Sequence, residues 1–192
     1  MVDLVVIGAS WGGLRALRAV LAPLTPDFPA PILIVQHRSD EESALAELLA
    51  RTCALTVREA EDKDRLQAGT VLLAPHGYHL LVEGDEAILS VDDPVRFSRP
   101  SIDVLLESAA EHGDRAVGVV LTGANADGAA GLAAIRRRGG IAIVQDPQSA
   151  ERPQMPRAAL AAVPDAQVRP LEQIGPELMR ICAPSTARPG AA

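Results

Sequence analysis

Apolar and polar positions along this chain fall into a repeating order of short buried runs and amphipathic stretches. Val2–Ile7 is a β-branched run ending at Gly8, the pattern of a strand covered on both faces. Leu14, Leu17 and Leu21 then follow at helical spacing, and Pro23 stops the helix they predict. Pro31–Gln36 predicts a second buried strand. Ser39 with Glu42 matches a capping box for a helix running to about Arg51. Leu55–Arg58 predicts a short third strand. Val71–Ala74, His79–Glu83 and Ala87–Val91 are split by PHG and EGDE and predict an antiparallel hairpin or meander.

The second half returns to alternation. Pro100 opens a helix whose apolar stripe is Ile102, Leu105, Leu106 and Ala109, closed by Gly113. Val117–Leu121 predicts a buried strand, Gly128–Arg138 a helix ended by Gly139 and Gly140, and Ile141–Val144 another strand. Arg157–Ala162 and Leu171–Ile181 predict the last helices. The expected fold is α/β: a doubly wound, mostly parallel sheet with helices on both faces and a small antiparallel hairpin. The expected organisation is one domain over residues 1–183, a flexible tail over 184–192, and no preceding receiver domain.

Composition narrows the function. Eighteen basic against 25 acidic residues give a net charge of −7, which excludes a strongly basic nucleic-acid binder. Aromatics are 2% of the chain, too few for a base-stacking platform. Cys53 and Cys182 lack metal-ligand or disulfide spacing and read as small buried hydrophobes. No apolar run is long enough to insert in a membrane, and the N-terminus lacks a basic signal region. A cytoplasmic protein is the expectation. The acids Glu59, Glu61, Asp62 and Asp64 read as a solvated loop, and no metal or cofactor site is expected.

In a doubly wound sheet, chemistry collects at the carboxyl ends of the strands. Ser10 follows the first strand, His37 the second, and Asp127 the strand Val117–Leu121. A hydroxyl, an imidazole and a carboxylate on one edge suit nucleophilic acyl transfer. Gly8, Gly12 and Gly13 permit a sharp turn around Ser10, and the helix behind it offers free N–H groups. Each residue also has a plainer reading: a phosphate cradle or simple tight turn for GASWGG, a structural histidine, an N-cap aspartate.

Longer motifs carry a resemblance. The segments VVIGASWGGLRAL, PILIVQHRS, REAEDKDRLQAGTVLLAPHGYHLLV, RPSIDVLLESAA, AVGVVLTGANADGAAGLAAIRRRGG and QMPRAAL together resemble the catalytic domain of the bacterial chemotaxis protein-glutamate methylesterase family, CheB, from about Val2 to Val163. The resemblance implies a serine hydrolase with Ser10, His37 and Asp127 as its triad and no cofactor. Its implied substrates are glutamate methyl esters of chemoreceptor cytoplasmic helices, released as methanol, with glutamine deamidation in some members. A methylated chemoreceptor domain is thus the implied partner. An impaired signalling homologue or a phosphate- or nucleotide-binding module is the alternative.

Departures from the family pattern are Trp11, where threonine is usual, and Ala124-Asn125, where Met-Gly is usual. With Gly12 they flank the expected oxyanion region, and Trp11 is expected to line the substrate cleft. His79 either faces that cleft or is structural. Arg99 either meets an acidic substrate segment or caps locally.

Overall fold

In a computed structural model, residues 2–37 and 44–183 are described. The Ser39/Glu42 capping box and the expected tail lie outside them. The elements are β1 (Leu4–Ala9), α1 (Gly13–Leu21), β2 (Ile32–Gln36), α2 (Leu45–Ala50), β3 (Thr56–Glu59), β4 (Asp64–Arg65), β5 (Thr70–Leu73), β6 (His79–Glu83), β7 (Glu86–Ser90) and α3 (Ile102–Ala109). After a 3₁₀ turn at Ala110–Arg115 come β8 (Ala116–Val120), α4 (Ala129–Arg137), β9 (Ile141–Gln145), α5 (Gln154–Ala162), β10 (Gln167–Arg169) and α6 (Leu171–Cys182).

Seven strands form one sheet in the order β10-β9-β8-β1-β2-β5-β3, and every neighbouring pair is parallel. The unbroken apolar strands have a simple cause. Val5, Ile7 and Ala9 of β1 face one core with α1, α2 and α6, while Leu4 and Val6 face a second core with α3, α4 and α5. A strand buried on both faces has no polar side to alternate with. Leaving β1, the chain builds outward through β2, then returns to β1's other side at β8. The loops after β1 and β8 therefore diverge, opening a crevice at the carboxyl edge.

Several expectations need correction. Val71–Ala74 belongs to no hairpin: β5 lies inside the parallel sheet between β2 and β3. Its isolated apolar run resembled its antiparallel neighbours, and only pairing distinguishes them. The small sheet is β4-β7-β6, with β6 against α3. The acidic stretch is not simply solvated. Asp64 accepts from the Arg58 guanidinium (Nη2 to Oδ1, 2.9 Å), and Asp62 Oδ1 accepts the Leu89 N–H at 3.1 Å. Gly113 does not close α3 but lies within the 3₁₀ turn. Cys182 is fully buried, which pushes its thiol up to about 12, whereas Cys53 is only half-buried.

Leu14 shares the helical spacing of Leu17 and Leu21, yet it is exposed while Leu17 is fully buried. Leu17→Ala should therefore cost about 2–5 kcal/mol of unfolding free energy, and Leu14→Ala under about 1. Urea denaturation of the two variants measures the contrast.

Candidate active site

Ser10 immediately follows β1 and ends the strand in a tight turn. Its N–H donates to the Thr122 carbonyl at 3.0 Å, tying it to the segment after β8. Gly12, at φ 79°, makes the left-handed step into α1, which a residue with a side chain rarely adopts. Gly123 lets the two strand ends close up. A Cβ there would lie 2.9 Å from Ser10 Cβ and closer still to the Met155 sulfur.

His37 is the first residue after β2. Its N–H donates to the Ala9 carbonyl at 3.0 Å, so β1 and β2 present Ser10 and His37 side by side. The Gln36 side chain locks this pair, with Nε2 donating to the carbonyls of Ser10 (2.8 Å) and His37 (2.7 Å). His37 Nδ1 lies 3.3 Å from Ser10 Oγ, and Nε2 lies 2.9 Å from Asp127 Oδ2.

Asp127 is 1% exposed, and five donors surround it. Oδ2 accepts from His37 and from the Ile102 N–H at 2.7 Å. Oδ1 accepts from Ser101 Oγ (3.0 Å), Asp103 N–H (2.9 Å) and Gly128 N–H (3.1 Å). Ser101 is the N-cap of α3, so the carboxylate sits at the positive end of that helix. Burial is the largest single influence and opposes ionisation. The hydrogen bonds from His37 and from the Asp103 and Ile102 amides together outweigh it, holding the carboxyl below its ordinary range. An ionised Asp127 offers acceptors only, so His37 Nε2 carries the proton and the Nδ1 lone pair faces the Ser10 hydroxyl. Nearby Asp103 shifts the other way. Burial is the main cause, and the charge of Asp127 adds to it.

The remaining expected site residues separate. Trp11 is 59% exposed. Its indole N–H donates to Glu151 Oε1 at 3.0 Å, and the Arg152 guanidinium lies 5.2 Å from the ring centroid. A cavity of about 510 Å³ beside Ser10 is lined by Gly12 to Arg15, Arg18 and Gln36, and Trp11 is not among these residues. The Glu151 and Arg152 contacts hold its ring. Ala124 and Asn125 lie in the exposed loop before Asp127, where Asn125 Oδ1 accepts the Asp127 N–H at 3.1 Å. His79 does not face the cleft. It is buried, its Nδ1 accepts the Ser101 N–H at 3.1 Å, and its Nε2 donates to the Asp93 carbonyl at 3.2 Å. Arg99 caps locally, donating to the carbonyls of Val91 (2.8 Å) and Asp92 (3.1 Å).

Sequence reasoning does not reach Gln36 and Ser101, which act through hydrogen bonds that only folding creates. Arg15 and Arg18 stand on the cavity wall, at i and i+3 on the helix that follows Ser10. No group of three or more His, Cys, Asp or Glu is placed to hold a metal among the described residues, and none of their helices is long and apolar enough to cross a membrane.

These features define a class: a doubly wound α/β domain with a Ser–His–Asp constellation at its switch point. The CheB methylesterase family matches residues 5–178, and the chain belongs to that family. It is 45% identical over 184 residues to a Leptospira interrogans protein assigned as a protein-glutamate methylesterase/protein-glutamine glutaminase, covering 93% of this chain and 94% of that protein. It is 48% identical over 175 residues to protein-glutamate methylesterase/protein-glutamine glutaminase 2 of Anaeromyxobacter dehalogenans, covering 90% of this chain but only 51% of that longer protein. The crystal structure of the Thermotoga maritima CheB methylesterase catalytic domain superposes with a TM-score of 0.89 at 33% identity, over 94% of this chain and 99% of that one.

Two outcomes follow from the packing around Ser10 and Asp127. Gly123→Ala should displace Ser10 or Met155 and slow labelling of Ser10 by a fluorophosphonate probe, read by mass spectrometry.

Asp127 has a folded pKa below its unfolded 3.8, so its stabilising contribution is present above that value and lost as pH falls through the folded one. Asp127→Asn should cost about 1–3 kcal/mol near neutrality and flatten that part of the acid limb, seen in urea midpoints between pH 2 and 7.

Proposed function

We propose that this chain hydrolyses the γ-methyl esters of glutamate side chains on chemoreceptor cytoplasmic helices, releasing methanol, and deamidates glutamine side chains at the same site. The observation that carries the reading is the continuous contact from Ser10 Oγ through both ring nitrogens of His37 to Asp127. A phosphate cradle at the same turn would leave the His37–Asp127 pair without a task. The names of the Leptospira and Anaeromyxobacter relatives support both activities.

In this mechanism Ser10 Oγ attacks the ester carbonyl carbon while His37 Nδ1 takes its proton. The imidazolium is stabilised by Asp127, which stays ionised. Negative charge develops on the carbonyl oxygen. The Trp11 and Gly12 N–H groups, which have no hydrogen-bond partner among the described residues, are the donors available to it at the start of α1. Collapse breaks the bond to the methoxy oxygen, which leaves as methanol with the proton from His37. Water, deprotonated by the same nitrogen, then cleaves the acyl-serine and frees the carboxylate. For a glutamine side chain the leaving group is ammonia.

The test is methanol release from a methyl-esterified receptor cytoplasmic fragment. Ser10→Ala and His37→Ala should each lower kcat by about 10⁴–10⁶-fold, with the double variant little worse, because the two act as one unit. Asp127→Ala should retain more activity. A folded Ser10→Ala protein with unchanged turnover would refute the assignment.

A further inference from the structure

Two exposed arginines line the cavity beside Ser10, and nothing in the mechanism above uses them. Ser10 lies at the mouth of α1, and Arg15 and Arg18 follow along that helix on the cavity wall. They are three residues apart, about one turn and roughly 4.5 Å along the axis. Neither has an ion-pair or hydrogen-bond partner among the described residues, whereas Arg58, Arg96, Arg115 and Arg180 all face acids. Glu151 shares a narrow crevice with Arg15 and is not among the residues lining this cavity; its Oε1 accepts from the Trp11 indole, and its Oε2 lies over Gly12.

Local helix energetics do not account for both. Arg18 lies in the last turn of α1, where a cation suits the helix dipole. Arg15 lies in the first turn, where the dipole and the free N–H groups disfavour a cation. That turn contains no acidic residue. Arg15 and Arg18 thus place two cations, and no acid among the described residues, on the lining of this cavity in a chain of net charge −7. An apolar step at Leu14 separates these charges from the nucleophile.

We propose that Arg15 and Arg18 form a carboxylate-binding subsite that selects methyl-esterified glutamates having an acidic residue one helical turn away. The proposal rests on the methylesterase reading and names its substrate preference. On a substrate helix, side chains three or four positions apart share a face. With the ester at Ser10, an acid one turn along meets the arginines. A neutral ester carbonyl gains nothing from them. Their task is to hold the substrate, which makes them specificity residues and not catalytic ones.

The experiment uses two helical peptides with one glutamate methyl ester, carrying either Glu or Gln three and four residues away. Wild type should favour the Glu peptide through KM, and 0.5 M salt should compress the difference. Arg15→Gln and Arg18→Gln should each reduce that preference by about two- to fivefold, and Arg→Lys at both positions should keep most of it. Arg15→Glu with Arg18→Glu should shift preference toward a third peptide with Lys at the flanking positions, a gain that misfolding does not produce. Equal wild-type kcat/KM on the Glu and Gln peptides, or equal losses on both in the Gln variants, would overturn the subsite while leaving the hydrolase reading intact. Absence of methanol from every peptide with the wild type would overturn both.

Discussion

The catalytic edge is organised around a carboxylate that water does not reach. Asp127 is buried, and an ionised carboxylate there is tolerable only because N–H and O–H donors fill its acceptor positions. Those donors come from different parts of the chain: the N-terminal turn of α3, the N-cap of α4 and the residue after β2. Holding Asp127 therefore fixes two helices and a strand end together. It also fixes the orientation of the imidazole, whose other nitrogen faces the serine. His79 supports this arrangement from behind through the Ser101 N–H. Of the two readings open for His79, the structural one holds: it steadies the helix start that holds the carboxylate.

The serine side is built from close backbone approaches. Gln36 grips the carbonyls of Ser10 and His37, and Thr122 accepts the Ser10 N–H through its own carbonyl. The Thr122 hydroxyl donates to the Trp11 carbonyl at 3.0 Å and accepts the Arg152 N–H at 2.9 Å. The turn is thus clamped from both neighbouring strands. The Trp11 ring is exposed, held by Glu151 and Arg152.

Much of this was legible in the residues themselves. Strand–helix alternation, the double-sided burial of the strands and the placement of Ser10, His37 and Asp127 after three of them depend on local periodicity and on the rule for parallel sheets. These are properties a linear pattern encodes, because side-chain period and turn chemistry act over a few residues. The long motifs around the same three residues added the family.

Tertiary structure decided the rest, and always where a long-range pairing or a side-chain direction was at stake. An apolar run such as Thr70–Leu73 has the same texture in a parallel sheet or a hairpin, and only its partners β2 and β3 settle the matter. Leu14 shares helical spacing with Leu17, yet it faces the cavity while Leu17 faces the core. His79, Ser101 and Gln36 gained their roles from hydrogen bonds to residues far away in sequence, which no local spacing announces. Arg15 and Arg18 look like ordinary surface charges until the fold sets them on the wall beside Ser10. The sequence determined which chemistry the chain carries, because that depends on residue type and local order. The fold determined what surrounds that chemistry, because electrostatic and hydrogen-bonding environments are properties of three-dimensional proximity.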